Sequence, residues 1–105
     1  MDSNQPYSEQ YRITAKQWVD ADAAANLLEE TKSSVLARLM AQQGDMPVSR
    51  AEMNVKSGKE WRDFIESMVE ARKNATFLKV KIEYLRMKFQ EWNSETATKR
   101  AEMKL

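Results

Sequence analysis

The 105-residue sequence contains no cysteine and no histidine, and it has only two glycines and two prolines. Without Cys or His it lacks disulfides, thiolate nucleophiles, zinc-finger ligand sets and imidazole acid–base catalysis. So few Gly and Pro residues cannot supply the many turns of a β-sandwich or barrel. The composition therefore indicates one small domain built from a few long elements.

Membrane-spanning and secretory signals are also missing from the sequence. No apolar run approaches the roughly 20 residues that span a bilayer, and the N-terminal sequence MDSNQPYSEQ has no apolar signal-peptide region. The lack of Cys gives no support to an oxidising compartment. We expect a cytoplasmic protein that does not enter a membrane and uses no metal or cofactor.

Capping motifs and helix breakers divide the chain into segments. Thr14, Ser49 and Ser57 are each followed three residues later by Gln or Glu, which is the capping-box pattern. Gly44 supplies a left-handed stop after the first helix. These signals predict a polar tail over residues 1–13 and a single helical domain over 14–105, with helices at about 14–43, 49–56 and 59–92 and a basic segment at 94–105.

Residues 79–84 alternate polar and apolar side chains in the manner of a half-buried strand. A strand would need turn signals on both sides, and there are none between Gly58 and Asn93. We therefore predict that this stretch is helical and that the fold is all-α.

A heptad pattern predicts how the helices pack. With Trp61 at position a, every a and d position as far as Trp92 is apolar, which is a strong coiled-coil signal. The first helix carries a shorter matching stripe, interrupted by Lys32. We predict an antiparallel helical hairpin with one very long C-terminal helix. The residues of its seam are Trp61, Phe64, Met68, Ala71, Ala75, Leu78, Ile82, Leu85, Phe89 and Trp92 on the long helix and Trp18, Ala21, Ala25, Leu28, Val35 and Leu39 on the first.

Four further apolar residues lie on the long helix away from this seam, at c and f positions. They are Phe77, Val80, Tyr84 and Met87. One partner helix cannot cover both sides of the long helix, and an exposed apolar patch of this kind marks an interaction surface. We predict that these residues join copies of the chain into an oligomer. A groove on a partner protein is the alternative.

Positive charge is concentrated in the C-terminal third of the chain. Residues 1–70 carry 8 basic and 12 acidic side chains, whereas residues 71–105 carry 9 and 4. Such a split hints at an anionic partner. The candidate nucleic-acid-binding residues are Arg72, Lys73, Lys79, Lys81, Arg86, Lys88, Lys99, Arg100 and Lys104.

These basic residues have two interpretations. Several occupy e and g positions beside the seam, where they would form intramolecular or inter-subunit ion pairs with acids of the first helix. Those acids are Asp20, Asp22, Glu29 and Glu30. Alternatively the basic residues bind nucleic-acid phosphates. The interleaved aromatic residues, which are base-stacking platforms in the second interpretation and core residues in the first, are Tyr84, Phe89 and Trp92.

Catalytic constellations are weak. Asp20 and Asp22 stand two residues apart on a helix, so their side chains point about 200° apart and cannot chelate one metal ion. The other acidic groups are typical of solvated helix faces. We predict that the protein is not an enzyme.

Residues 49–92, SRAEMNVKSGKEWRDFIESMVEARKNATFLKVKIEYLRMKFQEW, resemble the small helical recombination mediators of tailed phages, which load a recombinase onto single-stranded DNA. The similarity is in the order of features: a short helix, a break followed by a charged residue and an aromatic, and a long helix. The ending TATKRAEMKL is also similar to basic tails of small phage proteins. The resemblance covers about half the chain and includes no diagnostic motif. It implies an oligomer that binds single-stranded DNA without sequence specificity and holds a recombination or host protein partner.

Two functions remain open at this point. The first is a non-enzymatic, oligomeric helical accessory protein, phage-encoded and active in the bacterial host cytoplasm, that binds single-stranded DNA non-specifically in recombination or replication. The second is an adaptor or inhibitor that binds a protein through the apolar face of residues 77–87 and never contacts nucleic acid.

Overall fold

The computed structural model describes residues 6–103, and this part of the chain forms three α-helices. They are α1 (Tyr7–Ala41), α2 (Val48–Lys56) and α3 (Lys59–Met103). No strand occurs within the described range, and residues 79–84 are helical. The predictions of an all-α fold and of a very long C-terminal helix are confirmed.

Helix α1 begins seven residues earlier than the capping pattern at Thr14 predicts. The carbonyl of Pro6 accepts the backbone N–H groups of Glu9 and Gln10 at 3.1 and 3.0 Å, which starts the helix there. Thr14 is fully buried within α1 and therefore caps nothing. The predicted polar tail is wrong for residues 7–13, and its first five residues lie outside the described chain.

The break between α1 and α2 is formed by Gly44. Its φ of +86° is left-handed, a conformation that glycine adopts without strain. The predicted stop is confirmed, although α1 ends at Ala41. Helix α2 begins at Val48, with Pro47 as its N-cap and no side-chain cap, so the capping box predicted at Ser49 does not form.

Helix α3 begins at Lys59 as predicted and continues through Asn93 to Met103. The predicted end at Trp92 is therefore wrong. Beyond that point the Thr96 hydroxyl donates to the Trp92 carbonyl at 2.8 Å, and the Thr98 hydroxyl donates to the Ser94 carbonyl at 3.0 Å. The segment contains neither Gly nor Pro, and polar residues alone do not end a helix.

The chain divides into two compact units. The terminal unit comprises residues 6–20 with 76–103, and the central unit comprises residues 21–75. In the central unit Leu39 of α1 packs with Trp61 of α3, whereas Asp22, earlier in α1, bonds Arg72, later in α3. The α1 and α3 segments of this unit are therefore antiparallel, as predicted for the hairpin.

The terminal unit has the same antiparallel arrangement. Tyr7 lies beside Phe89, and Trp18 lies beside Ile82. Leu85 is buried in this unit, but Phe89 and Trp92 are 39% and 50% exposed. The predicted seam is thus uncovered at its last two positions, because α1 begins at Tyr7, level with Phe89.

The core of the central unit is built by all three helices. Leu39 of α1, Val55 of α2 and Trp61 of α3 form a buried cluster. The Trp61 and Phe64 rings stack at a centroid distance of 5.9 Å. The partly buried residues around the cluster are Val35, Leu36, Met40, Phe64 and Ile65. This core follows the predicted seam and adds α2 as a cover at one end.

One polar side chain interrupts the apolar seam of the terminal unit. Thr14 is 0% exposed, and its hydroxyl has no hydrogen-bond partner among residues 6–103. A buried, unsatisfied hydroxyl costs about 1–3 kcal/mol. We expect Thr14→Val, which keeps the β-branched shape, to raise the free energy of unfolding by about 1 kcal/mol in urea titrations followed by circular dichroism.

Thr31 provides the matched control for this substitution. Its hydroxyl donates to the carbonyls of Leu27 and Leu28 at 2.9 and 3.2 Å. Thr31→Val removes a satisfied hydroxyl, so it is expected to bring no gain in stability. Loss of stability in Thr14→Val would mean that the Thr14 hydroxyl forms a bond that matters to the fold.

Candidate nucleic-acid interface and apolar face

Arg72 is the basic residue that the fold engages most fully. Its guanidinium donates to Glu29 through Nε and Nη2, both at 2.8 Å, to Asp22 through Nη1 at 2.7 Å and to the Asn26 side chain at 2.6 Å. The hydrogen bond from Arg72 is the main cause that lowers the pKa of Glu29. The Glu29 and Asp22 hydrogen bonds raise the pKa of Arg72. The ion-pair interpretation is therefore confirmed for Arg72. Its bonds to Glu29, Asp22 and Asn26 would compete with binding of a phosphate.

The bonds between Arg72 and Glu29 make the stability of the fold depend on pH, and the direction of this dependence follows from the pKa of Glu29. A carboxyl whose pKa is lowered by folding stabilises the folded state above its unfolded pKa, about 4.3, and stops doing so as the pH falls through the folded value. We expect Arg72→Gln to melt below the wild type at pH 7. The difference in melting temperature should narrow as the pH falls below about 4, because the contribution of Glu29 is lost once its carboxylate is protonated.

Arg62→Gln is the control for this prediction. Arg62 lies on an exposed face of α3 and forms no ion pair with any residue of 6–103. Its substitution should leave the melting temperature nearly unchanged at every pH. A pH-independent difference between Arg72→Gln and the wild type would contradict the assignment to ionised Glu29.

The basic residues at e and g positions of the terminal unit have a different environment. Lys79, Lys81 and Arg86 form no ion pair among the residues that the structure describes. Lys88 forms an ion pair on its own helix, with Nζ 3.5 Å from the Glu91 carboxylate, and lies 5.9 Å from the centre of the Tyr84 ring. The attraction of Glu91 is the main cause that raises the pKa of Lys88.

Helix α1 offers these residues no acidic partner. On one edge of the seam Arg86 lies beside Ser8 and Ala15, both uncharged, and Lys79 shares the Ala15 cavity. The heptad register places Gln10 and Gln17 at the corresponding positions on the other edge. The positive charge of this unit is therefore not neutralised across the seam, in contrast to Arg72 of the central unit.

The predicted basic residues do not form one continuous track. Lys79 and Arg86 follow one edge of the seam, and Lys81 and Lys88 follow the other. Lys73, Lys99 and Arg100 are exposed elsewhere on α3, and none of them forms an ion pair within residues 6–103. Lys104 lies outside the described residues.

The predicted apolar face is uncovered in the single chain. Phe77, Val80, Tyr84 and Met87 are 65%, 59%, 55% and 58% exposed, and their 3–4–3 spacing places them along one side of α3. The seam therefore does not absorb them. Each of the four has more than half of its surface available to a partner.

Two aromatic residues near the N-terminus lie beside the candidate basic residues, although they fall within the predicted polar tail. Tyr7 and Tyr11 are on the first turns of α1 and line a cavity with Arg86 and Phe89. The sequence contains a signal for this position, because the heptad pattern of the first helix, continued backward from Trp18, places residues 14, 11 and 7 in the seam.

Among residues 6–103, no group of three or more Asp or Glu side chains is placed to hold a metal ion. Within the same range, no helix has the length and apolar content that a membrane crossing requires. No protein-family model, no curated protein and no solved structure matches the chain.

Proposed function

We propose that the protein is a non-enzymatic, cytoplasmic accessory protein that binds single-stranded DNA without sequence specificity in recombination or replication. The observation that carries this proposal is the positive charge along the seam of the terminal unit, which no carboxylate of the described part of α1 pairs. Lys79, Lys81, Arg86 and Lys88 lie within ten residues of one rigid helix, and α1 places uncharged residues opposite them. If these basic residues served only to form ion pairs, α1 would carry acidic residues opposite them, as it carries Asp22 and Glu29 opposite Arg72.

The geometry favours single strands over a duplex. The basic side chains flank a seam in which aromatic rings are partly exposed, and Phe89 and Trp92 stack on each other at 6.2 Å. Aromatic faces beside a cationic track are typical of proteins that hold unpaired bases. The resemblance of residues 49–92 to phage recombination mediators supports the same function and a phage origin.

The test is a binding titration with a labelled single strand at increasing salt concentrations. Each phosphate contact to a single strand steepens the salt dependence by roughly 0.7 log units per tenfold change in salt. Four contacts predict a slope of about −2.8, which corresponds to a roughly 600-fold weaker affinity between 50 and 500 mM salt. Absence of binding at 50 mM salt would overturn the proposal.

A second candidate function is favoured by the exposed apolar face. An adaptor or inhibitor would use Phe77, Val80, Tyr84 and Met87 to bind a protein groove, with no nucleic-acid contact. In our main proposal the same four residues join copies of the chain, because an oligomer multiplies weak, non-specific strand contacts. The oligomeric state of the isolated protein distinguishes the two functions, because only the main proposal requires the face to join copies of the chain.

A further inference from the structure

Two neighbouring cavities line one edge of the α1–α3 seam in the terminal unit. The first, about 270 Å³, lies between the rings of Tyr7, Tyr11 and Phe89. The second, about 240 Å³, lies beside Trp18. Tyr11 and Arg86 border both cavities, so the two are neighbours along this edge, and together they are called the groove.

The walls of this groove are aromatic and its rim is positive. Tyr11 and Phe89 are 40% and 39% exposed, so solvent reaches their rings. Arg86 stands between the cavities and Lys79 borders the second, and neither forms an ion pair with a described residue. A flat, largely apolar group attached to an anion satisfies both features, and a nucleotide has this chemistry.

Two positive charges lie along the groove. Arg86 and Lys79 are seven residues, or two helical turns, apart on α3, which is about 10 Å along the helix axis. Glu83 also borders the second cavity. Because its carboxylate repels phosphate, Arg86 is the stronger of the two phosphate positions.

We propose that this groove holds unpaired bases of a single strand, one between Tyr11 and Phe89 and the next beside Trp18, with a backbone phosphate at Arg86. The inference rests on the proposed function and extends it, since it assigns base stacking to a defined pocket. It also separates the groove from the apolar face of residues 77–87, which lies elsewhere on α3.

The test compares two labelled probes of equal length, an oligothymidylate and a strand of abasic sugar phosphates. The wild type should bind the oligothymidylate more tightly, because only that probe can stack. Tyr11→Leu, which keeps apolar area but removes the ring, should weaken oligothymidylate binding roughly 5- to 150-fold, the range for one base–aromatic stack. Its affinity for the abasic strand and its salt slope should not change.

Leu27→Ala is the control, since Leu27 is an exposed apolar residue of α1 that borders neither cavity and has no part in the proposed binding. It should bind both probes as the wild type does. Phe89→Leu is a second groove variant and should repeat the effect of Tyr11→Leu, with unchanged helicity by circular dichroism.

The outcomes separate the groove from the proposed function. Equal affinity of the wild type for the two probes would overturn the groove and leave non-specific strand binding intact. If Tyr11→Leu weakens the binding of both probes equally, the tyrosine has a structural role, and the groove proposal is overturned. If the wild type binds neither probe at 50 mM salt, both proposals are wrong.

Discussion

Replacement of Lys79, Lys81, Arg86 and Lys88 together by Gln is expected to abolish the salt-dependent part of single-strand binding. Neutralising four phosphate contacts removes about 2.8 from the slope of log affinity against log salt. The affinity at low salt should fall by more than 100-fold, which a fluorescence anisotropy titration measures directly. The fold should persist, because none of these side chains is buried and only Lys88 has an ion pair among the described residues.

A second quadruple variant controls for net charge. Lys16, Lys32, Arg50 and Arg62 are exposed and form no ion pair within residues 6–103. Their replacement by Gln changes the formal charge by the same amount. This variant should retain most of the affinity and the full salt slope. Equal losses in the two variants would mean that total charge, and not the edges of the terminal unit, drives binding.

The seam of the fold was predictable because apolar side chains at heptad spacing form one stripe on a helix, and this stripe packs against a partner helix. Trp61, Leu85 and Leu39 are buried where the pattern places them. The helix ends were not predictable from the same pattern. Thr14 imitates a cap, but continuation of the helix to Pro6 adds a further apolar turn around Tyr7. At the other end Asn93 imitates a stop in a segment that contains neither Gly nor Pro.

The candidate site was predictable as a set of residues but not as a geometry. The sequence shows that Arg72 and Arg86 both occupy e positions, and it cannot show their different environments. In the central unit Glu29 lies against Arg72, and in the terminal unit uncharged Ala15 lies near Arg86. Charge pairing between helices is thus a tertiary property.

The second large expected effect is on the oligomeric state, through the apolar face of Phe77, Val80, Tyr84 and Met87. Phe77→Glu with Met87→Glu is expected to convert an oligomer into single chains that remain fully helical, as measured by sedimentation and circular dichroism. Burying one large apolar side chain is worth roughly 1.5–3 kcal/mol, so four per chain can hold copies together even after the cost of association. Two carboxylates placed in that interface would have to be desolvated, and the assembly loses more than it gains.

Each single chain should tolerate these two substitutions because Phe77 and Met87 are already exposed within it. Leu85 is 5% exposed in the seam of the same unit, so Leu85→Glu buries a charge inside the chain and is expected to unfold it. Ser33→Glu with Ser34→Glu adds the same charge to an exposed part of α1 and should change neither mass nor helicity. If the double variant at Phe77 and Met87 keeps the wild-type mass, or if the wild type is itself monomeric, the face does not join copies. Its exposed area would then belong to a different protein, which is the adaptor function.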